Sequence, residues 1–285
     1  MADGRWHPLL DGCPPEWASE WGQDRYGVFV GFSVGEVEQR MRWIPSGTFM
    51  MGSPEDEPGR SESEGRQHLV TISRGFWLAD TPVTQALWTA VMSENPSRFK
   101  GDDRPVEGVS WDDGQRLCAM LNERIRGLNV SVPSEAQWEY ACRAGTTQAT
   151  YMGNPEGVLL SSVLETVAWY RDNSDSETHP VKQKQPNPWG LYDMLGNVFE
   201  WCLDGRRTYD SEPQQDPLGP MQSSVGRVSR GGSWVVVAGC MRAAYRLATR
   251  PDLRDSGRGL RLVRDQAVPA ADAAGQTVGA ARRRA

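Results

Sequence analysis

Histidines are few in this chain, and its cysteines are scattered rather than clustered. Its 285 residues include three histidines, His7, His68 and His179, which lie far apart without ligand spacing. The five cysteines are odd in number, and no two form a C-x-x-C pair: Cys13, Cys118, Cys142, Cys202 and Cys240. Zinc sites need clustered ligands, so this pattern argues against one. Isolated thiols of this kind are typical of buried, reduced cysteines.

The chain also lacks long apolar runs and an excess of positive charge. No stretch approaches the roughly 20 apolar residues that span a bilayer. The N-terminal residues show no basic segment followed by an apolar run, so no signal peptide is predicted. The net charge is −6, which argues against nucleic-acid binding over the body of the chain. We therefore expect a cytoplasmic protein without a membrane partner.

Tryptophan, glycine and proline are abundant instead. The sequence has 12 Trp, 30 Gly and 19 Pro but only 38% hydrophobic residues. Large aromatic side chains then supply burial that regular elements do not, which favours a loop-rich fold. No internal repeat or convincing linker divides the chain, so we predict one domain with tails.

Local patterns predict a few strands and three helices. Strands are expected at 26–34, at 38–51 around a turn at 45–47, and at 68–78, with an exposed loop at 53–67. Thr84 can cap a first helix, and capping boxes at Ser110 and Ser134 open two more. Gly145 has the position of a left-handed residue after the third. No helical signal follows residue 146.

Six segments together resemble the formylglycine-generating enzyme (sulfatase-modifying factor) family. They are WIPSGTFMMGS (43–53), TPVTQALW (81–88), PVEGVSWDD (105–113), VPSEAQWEYACRAG (132–145), NPWGLYDMLGNVFEWCLD (187–204) and the RGGSW-containing segment 230–261. The resemblance implies an α+β, loop-rich variant of the C-type lectin fold over residues 40–264. Residues 1–39 are then an N-terminal extension packing on the domain, and residues 265–285 are predicted to be a disordered tail.

The sequence lacks the metal-binding residues that the enzymes of this family use for catalysis. The oxidases that this chain resembles bind copper through two cysteines just after the Gly-Gly-Ser-aromatic turn. Here that stretch, residues 235–240, reads VVVAGC and holds one thiol. A second branch of the family uses non-haem iron held by several histidines, whereas the three histidines of this chain lie far apart without ligand spacing. We expect no copper or iron, and the sequence argues against formylglycine generation.

Calcium is the one metal that the resemblance leaves as an expectation. Asn197, the Val198 carbonyl and Glu200 place oxygen donors close together in the segment LGNVFEW, where the family carries structural calcium. Asp172 and Asn173 form a weaker oxygen-rich cluster. The alternative is that Asn197 and Glu200 satisfy backbone groups in a crowded turn.

The C-terminal segment, residues 230–264, combines a fixed framework with irregular filling. The framework consists of residues that can brace loops through bidentate bonds or permit special backbone angles: Gly231, Gly232, Ser233, Trp234, Arg242, Arg246, Arg254, Gly259 and Arg261. Fourteen other positions are the candidate ligand-binding residues: Val235, Val236, Val237, Cys240, Tyr245, Leu247, Ala248, Thr249, Arg250, Leu253, Asp255, Ser256, Gly257 and Arg258. Exposed apolar side chains among them would mark a binding surface for a protein or peptide.

These filling positions avoid five residue types. None is Lys, Glu, Gln, Met or Trp, the residues that adenine randomisation of AAC or AAT codons cannot reach. Diversity-generating retroelements vary C-type lectin proteins by that route, and one branch of those proteins resembles this family. The alternative is an ordinary family member with drifted loops. A second alternative makes residues 235–237 a short buried strand.

Three functions therefore stay open at the level of sequence. The first is a non-catalytic binding protein that presents its C-terminal segment to a protein or peptide ligand. The second is an enzyme of the same family with atypical catalytic residues. The third is a structural module of a signalling assembly.

Overall fold

In the part of the chain that the structure describes, the fold is built from short strands and four α-helices joined by long loops. The computed structural model describes residues 14–153, 158–221 and 226–265. The strands are β1 (Glu20–Asp24), β2 (Gly27–Val34), β3 (Val37–Ile44), β4 (Gly47–Met51), β5 (His68–Ile72), β6 (Phe76–Ala79), β7 (Ala168–Trp169), β8 (Leu195–Gly196), β9 (Phe199–Gly205), β10 (Gln214–Gln215), β11 (Arg227–Arg230), β12 (Arg246–Thr249), β13 (Arg258–Leu260) and β14 (Val263–Asp265). The helices are α1 (Gln85–Met92), α2 (Trp111–Arg124), α3 (Glu135–Arg143) and α4 (Val158–Val167).

Two larger sheets organise these strands. The first has the order β1-β2-β3-β6-β14 with antiparallel neighbours. The second has the order β12-β11-β9-β13, in which β13 runs parallel to β9. Smaller sheets join β10, β5 and β4, and β7 with β8. Strands from the end of the chain therefore lie in both larger sheets.

Side-chain caps fix where three helices begin, as the sequence predicts. The Thr84 side chain accepts a hydrogen bond from the Leu87 amide at the start of α1. Ser110 with Asp113, and Ser134 with Gln137, form reciprocal capping boxes on α2 and α3. These bonds satisfy amides that have no partner inside the helix.

The structure departs from three other expectations. The expected strand at 68–78 is two strands, β5 and β6, separated by a turn. Helix α4 lies where no helix is predicted, because its sequence VLLSSVLETV has no capping signal. The expected domain boundary at residue 39 falls inside β3, so β1, β2 and the start of β3, which precede it, are strands of the first sheet. The predicted tail, apart from Asp265 at the end of β14, lies outside the described residues.

Buried side chains form two apolar clusters on either side of the second sheet's strand β9. One cluster includes Trp138, Cys142 and Met241, and the other includes Trp88, Trp201 and Leu260. Trp138 and Trp201 are both fully buried, in keeping with aromatic burial in a loop-rich fold. No helix in the described ranges has the length and apolar character that a bilayer crossing requires.

Candidate functional site

The C-terminal segment enters and leaves the second sheet through paired strands. Strand β11 pairs antiparallel with β12, with Arg230 opposite Arg246. The loop between them, residues 231–245, carries the Gly-Gly-Ser-Trp turn. Strand β12 is an edge strand and β13 is the opposite edge. The sheet thus holds both ends of the loop while leaving its middle free of strand pairing.

Two of the three valines after this turn are exposed. Val235 is 48% exposed and Val237 is 40% exposed, whereas Val236 packs against the apolar core. Residues 235–237 form a turn that leads into a short 3-10 helix, so the prediction of a buried strand here is wrong. The valines give this part of the surface an apolar character, which is typical of binding sites.

Hydrogen bonds from distant loops hold the turn beneath the valines. The Trp234 amide donates to the Asn197 carbonyl at 2.9 Å, and its indole Nε1 donates to the Ser256 carbonyl at 2.7 Å. The Arg171 amide donates to the Val236 carbonyl at 3.0 Å. Phe99 meets the Trp234 ring edge-on, at 5.3 Å between centroids. The backbone that presents Val235 and Val237 is therefore fixed from several sides.

The remaining candidate ligand-binding residues differ in exposure. Arg250 is exposed, while eight positions are partly buried: Cys240, Tyr245, Leu247, Ala248, Thr249, Leu253, Asp255 and Ser256. Gly257 and Arg258 are buried. The Arg258 guanidinium lies over the Trp201 ring at 5.0 Å and pairs with Asp255. Arg258 and Gly257 therefore offer no side-chain surface to a ligand.

Arg242 ties the loop to the region before β5. Its guanidinium donates to Glu64 Oε1 at 2.6 Å, to Glu57 Oε1 at 2.6 Å and to the Gly59 carbonyl at 2.6 Å. Burial alone raises the pKa of Glu64, but the hydrogen bonds and charge of Arg242 outweigh burial and lower that pKa. Glu64 is thus ionised and paired at neutral pH.

Arg246 and Arg230 tie the paired strands to helix α3. Arg246 binds Glu135 in a bidentate pair, Nε to Oε1 at 2.7 Å and Nη2 to Oε2 at 2.6 Å. Arg230 pairs with Glu139 one turn further along the helix and donates to the Tyr245 carbonyl at 2.7 Å. Glu135, Glu139 and Arg230 are completely buried. Planar guanidinium groups suit such buried pairs, which lysine cannot reproduce.

The other framework residues have different surroundings. Arg254 pairs with Asp113 at 2.8 Å on the surface, with 55% of its side chain exposed. Arg261 is buried and donates to Glu200 Oε1 at 2.7 Å and to the Ala79 carbonyl at 2.9 Å. Gly231 and Gly232 have φ values of +95° and +77°, which favour glycine. Ser233 is buried beside them.

The side chains expected to bind calcium already have protein partners. Both Glu200 oxygens accept from Arg261, and Oε2 also accepts from Trp138 Nε1 at 2.7 Å. The Asn197 side chain bonds the backbone of His179 in both directions. Asn173 bonds backbone groups, and exposed Asp172 pairs with Arg171. The arginine neutralises the carboxylate that calcium would need, so this donor set does not fit a calcium site.

The four thiols among the residues that the structure describes do not fit a two-cysteine copper site. Cys240 is partly exposed, whereas Cys118, Cys142 and Cys202 are buried. Burial raises the pKa of Cys118 and of Cys142 to about 12, which disfavours the thiolate that binds metal. Over the described ranges, no group of three or more His, Cys, Asp or Glu side chains is arranged to hold a metal ion.

Sequence reasoning missed the carboxylate partners and one arginine. The carboxylates that pair with the buried arginines come from distant positions in the chain: Glu57, Glu64, Glu135 and Glu139. The arginine that was missed is Arg230, which pairs with Glu139. The spacing of Glu135 and Glu139, four residues apart on one helix, was an available signal. It did not identify their partners, because such carboxylates usually face solvent.

A comparison with known families places the chain. The family described as "Sulfatase-modifying factor enzyme 1-like domain" matches residues 32–266. The chain belongs to this family. Relatives include the chaperone protein LppX of Paenibacillus barcinonensis, 29% identical over 72% of this chain and 85% of LppX. The mouse formylglycine-generating enzyme is 32% identical over 72% of this chain, which spans about half (55%) of that enzyme.

A solved structure supports the same assignment. The chain is similar to Treponema denticola variable protein 1, with a TM-score of 0.72 and 30% identity over 84% of this chain and 99% of that one. The predicted α+β, formylglycine-generating-enzyme-type lectin fold is therefore confirmed. The family match itself includes all of residues 230–264 and therefore the framework.

Proposed function

We propose that this family member is a non-catalytic binding protein that presents its C-terminal segment to a protein or peptide ligand. The supporting observation is the contrast within one short segment, residues 235–246. Val235 and Val237 are exposed, while Arg242 and Arg246, a few residues later, are buried in ion pairs. Such a loop keeps its shape while its outward side chains change, which suits recognition.

We further propose that the outward positions are diversified by a retroelement. Two observations support this: the residue types that the filling positions avoid, and the similarity to a protein named a variable protein. The genomic test is a search beside a reverse transcriptase for a near-copy of the 230–264 coding segment. Differences confined to adenines support diversification, whereas a genome with no such copy contradicts it.

The binding proposal is tested with a double variant, Val235→Ser with Val237→Ser. A random peptide library is panned on the immobilised wild-type chain, and selected peptides are measured by fluorescence polarisation. We expect the double variant to bind them at least roughly tenfold more weakly, because apolar contacts at the centre of an interface dominate affinity. Its unfolding free energy should stay within about 0.5 kcal/mol of wild type, since both side chains are exposed.

The matched control is Leu69→Ser, which replaces an apolar side chain that is 41% exposed on β5. It should leave peptide binding unchanged. Equal peptide affinity of wild type and the double variant would contradict the proposal. Conversion of a sulfatase-type cysteine peptide to its aldehyde by the purified chain would instead favour the enzymatic alternative. Partners whose binding ignores residues 235–258 would favour a module of a signalling assembly.

A further inference from the structure

A cavity of about 510 Å³ lies outside the C-terminal segment, between the β2–β3 turn and the loop at residues 180–183. Its volume falls within the range of small-ligand sites. Four carboxylates line it, Glu36, Glu38, Asp80 and Asp103, together with the cations Arg40 and Lys182. None of its lining residues belongs to residues 230–264, so its role is independent of the proposed binding surface.

The charges around this cavity do not balance. Arg40 is already neutralised by Glu20, which accepts from Nε and Nη2 at 2.8 Å each. Lys182 pairs with Asp80. No salt bridge joins Glu36, Glu38 or Asp103 to another of the described residues. The cavity therefore has an excess of negative charge, which attracts a cation.

Asp80 is the buried carboxylate of this cavity. It follows β6 directly, and its residue is 1% exposed. Oδ2 lies 2.8 Å from Lys182 Nζ, whereas Oδ1 has no hydrogen-bond partner among the described residues. A buried carboxylate oxygen without a donor costs free energy. Asp80 is thus an incompletely satisfied buried carboxylate, whose partnered oxygen Oδ2 depends on the Lys182 ammonium.

The partly exposed ammonium group of Lys182 is the ion-pair partner of the Asp80 carboxylate. Its backbone is fixed: φ is +66°, and its amide donates to Asp193 Oδ2 at 2.9 Å. Its side chain, in contrast, is 44% exposed. A flexible, strongly hydrated ammonium in this position can move into water when another cation arrives. The lysine therefore shows which chemical group fits against Asp80.

We propose that this cavity binds the primary ammonium group of an organic ligand, with Asp80 as its counterion and Lys182 as the group that it displaces. The carboxylates of Glu36, Glu38 and Asp103 attract further positive charge on the same ligand. Two sources supply such an ammonium group, a free polyamine and a lysine side chain.

The test is isothermal titration calorimetry of the full chain at low ionic strength. Spermidine and Nα-acetyl-lysine amide are titrated separately, so that the better ligand identifies the source. We expect saturable binding of at least one amine at a single site. Asp80→Asn should weaken it at least roughly tenfold, because the counterion is lost. Lys182→Gln should tighten it, because the competing ammonium is removed.

Glu38→Lys tests the site without altering a buried residue, so the test stands even where Asp80→Asn fails to fold. It should weaken binding, while the matched control Glu123→Lys, an equal charge change on the exposed face of α2, should leave it unchanged. Absence of saturable binding to wild type, or equal weakening by the two lysine variants, would overturn the proposal. Displacement of the amine by an equimolar amount of magnesium chloride would also overturn it, in favour of a metal site.

Discussion

At the scale of single residues, buried arginine–carboxylate pairs determine the shape of the C-terminal segment. Arg242 and Arg246 reach carboxylates that precede them by more than a hundred positions. Removing one partner of such a pair leaves an uncompensated buried charge, which costs far more than the pair contributes. Arg254, whose pair with Asp113 is largely exposed, offers an internal comparison.

Arg246→Lys should destabilise the fold by about 2–4 kcal/mol, because lysine cannot reproduce both bonds to Glu135 in a buried site. Arg254→Lys, the matched control, should cost less than about 1 kcal/mol, because its pair is solvated and screened. Urea denaturation monitored by tryptophan fluorescence measures both. Equal losses of unfolding free energy in the two variants would show that burial of the ion pair does not determine its contribution to stability.

Asp204 makes stability depend on pH. Burial raises its pKa from 3.8 to about 6, and the nearby Glu135 charge adds to this. Because the folded state holds the proton more tightly than the unfolded state, this stabilising contribution is complete below pH 3.8 and is lost as the pH rises through 6. Between about pH 5 and about pH 7, this group should remove about 1 kcal/mol of unfolding free energy from wild type.

Asp204→Asn removes this titration but keeps an acceptor for one of the two amides, of Glu135 and Gly219, that bind the carboxylate. The variant is expected to be less stable than wild type, by a margin that shrinks by about 1 kcal/mol from about pH 5 to about pH 7. Urea unfolding at the two pH values measures the margin. A margin that stays constant across this range would contradict the assigned pKa.

At the scale of elements, close approach of strand β13 to a neighbouring loop restricts one position to glycine. A Cβ on Gly259 would overlap the carbonyl oxygen of Val106 and lie 3.3 Å from Val198 Cγ2. Backbone atoms cannot move aside as a flexible side chain can. The parallel pairing of β13 with β9 therefore depends on the absence of a side chain at this position.

Gly259→Ala should destabilise the fold by about 1–3 kcal/mol through overpacking. Gly239→Ala is the matched control, because a Cβ there has no heavy atom within 4 Å. It should change stability by less than about 0.5 kcal/mol. Thermal unfolding followed by circular dichroism compares the two, and a neutral Gly259→Ala would show that β13 can shift away from Val106.

Local signals explain which elements the sequence predicts. The caps at Thr84, Ser110 and Ser134 involve residues no more than three positions apart, so they can be read from the chain directly. Helix α4 has no such signal and depends on tertiary burial, with Leu164 fully buried. Tertiary packing decides elements of this kind, and single-sequence patterns do not contain it.

At the scale of the whole molecule, the family and fold follow from six co-linear motifs, but the site's energetics do not. The exposure of Val235 and Val237 depends on bonds from Asn197, Ser256 and Arg171, which no local pattern links to the valines. The cavity at Asp80 likewise joins segments about a hundred residues apart. The sequence therefore predicts the C-terminal segment, residues 230–264, as the candidate site. The contacts that support this segment are seen in the structure alone.

The last strands of the chain lie in both larger sheets, with β11, β12 and β13 in one and β14 in the other. Synthesis must therefore reach residue 260 before either sheet has all of its strands. A truncated product that ends before residue 227 lacks strands of both sheets and exposes apolar surface to cellular proteases. Quality control would then remove copies that terminate before this segment is synthesised.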